Sequence, residues 1–155
     1  MMKRAGRGAC APLVLGAMVL LAAAPARAEV QMPVVELGAG MYRIEAEVAY
    51  TMQTRQLGLM NRRSMPAQHG MVFVFPMDAG HCMWMKNTLL PLSVAFLDAQ
   101  GRIINVEDMQ PQTEDNHCAA APARYALEMN LGWFKERGLK RGDQIRGIDR
   151  LPQAR

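Results

Sequence analysis

Apolar and polar positions alternate most clearly from Tyr42 to Tyr50. Tyr42, Ile44, Ala46, Val48 and Tyr50 share one face, with Arg43, Glu45 and Glu47 opposite. A period of two with charges on the far side predicts a half-buried strand. Thr51 to Met60 predicts a short helix, capped by Thr51 or Thr54 and continued by Gln56, Leu57 and Met60. Asn61 to Gly70 is a polar turn region around Pro66. The continuous apolar run Gly70-Met71-Val72-Phe73-Val74-Phe75, closed by Pro76, has the length of a strand covered on both faces.

Further strands are predicted over His81 to Lys86 and Leu92 to Leu97. Asp98-Ala99-Gln100-Gly101 supplies turn residues, and Arg102 to Glu107 returns as the second strand of a hairpin. Met109 to Pro122 is a long polar connection of the kind that is functional, disordered or pinned. Arg124 to Met129 reads as another strand. Asn130 is placed to cap a short helix through Arg137, and Gly138 to end it. Gly142-Asp143 then turns into a last strand, Gln144 to Ile148. Residues 29–40 show no period and read as a flexible leader. The expected architecture is mainly β: one β-sandwich or distorted barrel over residues 41–150, with two short helices.

The first 28 residues have a different character. Lys3, Arg4 and Arg7 precede an apolar run from Leu13 to Ala24, followed by Ala26-Arg27-Ala28. This order is that of a cleavable secretory signal, with cleavage after Ala28. The apolar run falls well short of the roughly 20 residues a spanning helix needs. No membrane span is expected after cleavage, and the expected location is the periplasm or the medium. Cys10 lies ahead of the apolar run and leaves with it.

Removing that segment changes the charge. The whole chain carries +4, and Lys3, Arg4, Arg7 and Arg27 account for it. A balanced mature chain gives no reason to expect nucleic acid as a partner. Cys82 and Cys118 remain, and an even number of cysteines in an exported protein favours a disulfide. Closing a loop of that size contributes about 3–4 kcal/mol in the chain-entropy view.

Catalytic signatures are scarce. Ser64 and Ser93 are the only serines, and no nucleophile elbow surrounds either. Glu107-Asp108 and Glu114-Asp115 read as solvated loop acids rather than a glycosidase pair. His81-Cys82 and His117-Cys118 suggest a Cys2His2 metal site, but neighbours in a strand face opposite ways, which favours the disulfide. On a strand, His81, Met83 and Met85 would share a face and offer copper a soft site; methionine as a core filler is the alternative. Trp84, Lys86, Asn87 and Thr88 form the candidate binding surface, combining a flat stacking face with hydrogen-bonding groups. The alternative is a core Trp84, with Asn87 and Thr88 satisfying a turn. Arg55 and Arg62 flank the first helix and are expected to pair with Glu128.

Several ordered motifs carry a resemblance. Gly58-Leu59-Met60-x-Arg62, Gly70-Met71-Val72-Phe73-x-Phe75, Trp84-Met85-Lys86-Asn87-Thr88 and Pro91-Leu92 are similar to the bacterial and archaeal family called domain of unknown function 192. Tyr125-x-Leu127-Glu128-Met129-Asn130-x-Gly132 and Gly142-Asp143 extend the match over nearly all of residues 42–148. The resemblance implies a compact β-sandwich-like fold, often behind an export signal, and no established activity. Ser93 stands where many relatives have aspartate, and Asn61 and Met83 where an aromatic residue is common. Residues and resemblance together point to an exported, monomeric, non-catalytic module. It would bind a small ligand or a periplasmic protein and need no cofactor. A copper-binding protein and an enzyme without a recognisable motif are the alternatives.

Overall fold

The alternation at Tyr42–Ala49 is realised as strand β2, which buries Ile44, Ala46 and Val48 and leaves Arg43 and Glu45 outside. The computed structural model describes residues 30–155, so the expected signal segment lies outside the described residues. Upstream, Val34–Ala39 forms β1, paired antiparallel with β2 across the Gly40-Met41 turn. This corrects the expectation of a flexible leader over residues 29–40. Leu37 and Ala39 are buried there, and register with β2 holds a segment whose own pattern is weak.

Helix α1, Met52–Leu57, follows. Its start is a capping box: Thr51 Oγ1 accepts from the Thr54 N–H at 3.1 Å, and Thr54 Oγ1 accepts from the Thr51 N–H at 2.9 Å. The helix is the crossover that allows β3, His69–Ala79, to lie parallel to β2. Period two splits the β3 apolar run between two cores. Val72 and Val74 enter one cluster, and Met71, Phe73 and Phe75 enter the other.

The remaining strands are β4 (Cys82–Met83), β5 (Leu92–Leu97), β6 (Ile103–Met109), β7 (His117–Cys118), β8 (Ala123–Asn130) and β9 (Ile145–Arg146). Among the described residues, seven of the nine strands make one sheet in the order β6-β5-β8-β3-β2-β1-β9, while β4 and β7 form a separate two-stranded ribbon. The sheet curls into a half-barrel, within the expected class. The hairpin β5–β6 forms as expected.

Three local expectations change. Strand β4 holds only Cys82 and Met83, because the chain after it is drawn into a tight turn. Asn130 belongs to β8 and donates to the carbonyls of Met65 and Pro66, so it does not cap the second helix. Helix α2, Trp133–Glu136, begins instead after left-handed Gly132, whose N–H donates to Ser93 Oγ at 2.8 Å. The final strand is short and gives way to a 3₁₀ turn, Ile148–Arg150.

One sheet face is closed by α2. Trp133 packs edge-on against Phe134 and Tyr42, and the Arg137 guanidinium lies 4.4 Å from the Trp133 ring. The other face is closed by the segment after α1, the β4–β7 ribbon and the loops beside it, which contribute Leu59, Met65, Met83, Met85 and Ala119. Cys82 and Cys118 face each other across the ribbon and are joined by a disulfide.

Candidate ligand-binding site

The second face contains an opening. Its position follows from how α1 ends. Gly58 takes a left-handed φ of 48°, and a Cβ there would come within 3.3 Å of the Phe73 ring. Glycine lets the chain turn directly over β3 and continue to Leu59, which is buried. Asn61 also adopts a left-handed conformation, and its N–H donates to the Asn87 carbonyl at 2.9 Å. The two segments that flank the opening are thereby tied together.

The segment from Trp84 to Thr88 is a turn rather than a strand. The Thr88 N–H donates to the Met85 carbonyl at 3.0 Å, and Asn87 has a φ of 55°. Asparagine tolerates that conformation better than most side chains. Met85 enters the core completely, which leaves Trp84 outside with 47% of its surface exposed. The alternative of a core tryptophan at 84 is therefore not realised. Lys86 Nζ sits 5.2 Å from the Trp84 ring centroid and 3.5 Å from a Glu114 carboxylate oxygen.

Between α1, β3 and this turn runs a groove of about 420 Å³, lined by Met52, Arg55, Gln56, Phe75, Met83 and Trp84, with Phe73 at its base. A smaller recess of about 30 Å³ opens beside it, sharing Arg55, Phe73 and Trp84 and reaching Thr88 and Glu128. The recess has room for a water molecule or a small polar group. The groove is within the size range of small-molecule sites and has their character, mostly apolar with a few polar groups.

Glu128 is the one carboxylate buried among the described residues. It stands on β8, opposite Met71 on one neighbouring strand and Val94 on the other, and only 4% of its surface is exposed. Loss of water around the carboxyl pushes its pKa up to about 8, and no charge or hydrogen bond offsets that loss. At neutral pH the group carries its proton. It is an acid that can donate one hydrogen bond, set in the small recess beside an apolar groove.

Arg55 differs in kind. Its Nη1 donates to the carbonyls of Tyr50, at 2.7 Å, and Val74, at 3.1 Å. Among the described residues it forms no ion pair. Burial lowers its pKa from the ordinary arginine value, and a guanidinium remains charged in proteins. Two backbone carbonyls therefore fix a guanidinium without a counter-charge beside a neutral acid.

The expected ion pairs with Glu128 do not form. Arg62 makes a bidentate pair with Glu47 on β2, on the outer side, and Arg55 spends its hydrogen bonds on the main chain. Of the expected binding residues, Trp84, Thr88, Arg55 and Glu128 come together around the recess, and Lys86 lies over the tryptophan. Asn87 shapes the turn and Arg62 stands apart. Sequence reasoning missed Gln56, Phe73 and Phe75 as lining residues. Phe73 and Glu128 lie diagonally across the neighbouring strands β3 and β8 on one face, and only the register of those strands reveals it.

The face on which His81, Met83 and Met85 were expected to present soft ligands is not formed. The His81 ring stacks on Phe75 at 3.8 Å, with Nε2 2.9 Å from the Met77 carbonyl. Met83 lines the groove, while Met85 is buried in the core. Ser93, the departure from the family pattern, bonds to Asp108 and to the start of α2.

The fold is that of a curled, mainly β domain. The chain belongs to the domain of unknown function 192 family (DUF192), described as an uncharacterized ACR, whose profile matches residues 34–147. It is similar to a solved protein from Sinorhizobium meliloti 1021 called "a putative transcription regulator", with 35% identity and a TM-score of 0.71. That match covers 76% of this chain and 96% of the other. It is also similar to a protein of unknown function from Novosphingobium aromaticivorans DSM 12444. There the identity is 30% and the TM-score 0.73, over 81% of this chain and 94% of the other. No curated protein matches the chain. Among the described residues no helix is long and apolar enough to cross a membrane.

Proposed function

We propose that this protein is an exported, non-catalytic module that binds a small ligand in the groove between α1, β3 and the Trp84–Thr88 turn. The observation that carries the reading is Glu128. A carboxyl group buried without a partner lowers stability, and an apolar residue of similar size would fill the same place at no such cost. Its place in a recess beside an accessible groove fits a binding site in which stability is traded for recognition. Exposed Trp84 supports the same reading, since it offers a ring face to a ligand. Export is supported by the N-terminal pattern of basic, apolar and small residues and by a cysteine pair positioned to bridge.

Native mass spectrometry on protein recovered from its own compartment tests this. The expected result is a mature chain beginning after Ala28 that carries a small molecule. That molecule should be lost from a Trp84→Ala variant that still melts cooperatively. A wild-type protein that arrives empty under gentle conditions, or one that keeps its leader, would count against the proposal.

A further inference from the structure

Resting on the reading of the groove as a ligand site, we infer that its ligand is an organic carboxylate with an apolar body, the body lying against Trp84 and Phe73 and the carboxylate shared between Arg55 and Glu128. Two features select an anion over a cation. Arg55 lines both groove and recess, is anchored by main-chain carbonyls through Nη1 alone, and has no acidic partner among the described residues. A guanidinium in that situation gains a counter-charge from an oxyanion ligand and is repelled by an ammonium ligand.

The second feature is the kind of acid that Glu128 is. A buried carboxyl, flanked in register by Met71 and Val94 and lining the recess with Phe73, is desolvated, holds its proton and can donate it as a hydrogen bond. Such a donor suits an acceptor oxygen, and a carboxylate supplies two, one for each partner. The recess of about 30 Å³ takes a head group and no more, so the apolar remainder must lie in the larger groove. Gln56 and Thr88 border the same space and add neutral polar contacts.

A matched trio of probes tests the class: phenylacetate, 2-phenylethanol and 2-phenylethylamine, which share a body and differ in the head. Each is titrated into the mature, oxidised protein at neutral pH, followed by calorimetry and by the Trp84 indole NMR signal. Phenylacetate is expected to bind in the micromolar to low millimolar range and the alcohol about tenfold more weakly, the size of one charge-assisted hydrogen bond. The amine should not bind. Arg55→Gln should weaken phenylacetate by about tenfold or more. Glu128→Leu should also weaken it, and Glu128→Gln, which keeps a donor, should bind more tightly than the leucine variant. Preference for the amine or the alcohol, or no phenylacetate binding up to about 10 mM (a Kd this weak being worth under about 3 kcal/mol), overturns the carboxylate proposal. The groove reading falls on different grounds, when native material carries no small molecule.

Discussion

The two faces of the central sheet are built by different means from the same strands. On one, the cluster around Ile44, Val72, Leu127 and Trp133 is closed by a helix whose aromatic rings interlock, with Arg137 stacked on them. On the other, the cluster around Phe73, Val94 and Phe96 is closed by loops and a two-stranded ribbon rich in methionine. Methionine is flexible and fills irregular gaps, so it suits a cover made of loops. The first face is closed for stability. The second accepts an unpaired carboxyl and an opening beside it, the features on which the proposed ligand site rests.

This contrast can be broken most forcefully at the tryptophans. Trp133→Ala should cost about 3–5 kcal/mol in urea unfolding, because Trp133 is fully enclosed. Trp84→Ala should change stability by no more than about 0.5 kcal/mol. Similar losses at both sites would show that the second face is sealed as tightly as the first.

Reduction of the Cys82–Cys118 bridge should come next. The two residues are separated by 36 positions, and releasing that loop should remove about 3–4 kcal/mol. Hydrogen exchange should localise the loosening to the ribbon and the Trp84 turn and leave α2 protected. Equal loosening on both faces would mean that the two faces are not closed independently.

Glu128 sharpens the comparison in the opposite direction. Replacement by leucine should stabilise the protein by about 1–3 kcal/mol at neutral pH. The pH dependence has a definite sign. The folded-state pKa is raised to about 8, so between the ordinary carboxyl range and that value the native protein holds a proton that the unfolded chain has released. Stability must fall as pH rises through this window, and the loss is complete above about pH 8. Denaturant midpoints at several pH values should therefore diverge between wild type and Glu128→Leu as pH rises. Parallel curves would mean that the carboxyl is not held neutral.

A smaller effect tests the register. The bidentate pair of Arg62 with Glu47 is partly exposed, and Arg62→Ala should cost no more than about 1 kcal/mol. A much larger loss would place Arg62 in the core rather than on the outside.

Much of the frame was legible beforehand, for reasons of periodicity. Tyr42 to Tyr50 alternates, and the β3 run is apolar at every step because each residue meets one core or the other. The cysteine pairing was legible from number and context. What escaped depended on partners distant in sequence. β1 looks irregular alone and becomes a strand only in register with β2. His81 to Lys86 reads as alternating, yet burial of Met85 and the left-handed Asn87 fold it into a turn. Glu128 was expected to have an arginine, and its isolation emerges only when Met71 and Val94 are seen on either side. A charge within Ala126-Leu127-Glu128-Met129, a run otherwise apolar on both faces, was the one available sign.

The strand order has a consequence for how the molecule comes into being. β8 lies between β3 and β5, although it is the second-to-last strand in the sequence. Until Asn130 has been made, the growing polypeptide holds two separate half-sheets with raw edges and no means of joining them. Closure of the whole sheet thus waits on β8, and the strands made before it stay unjoined until that strand arrives.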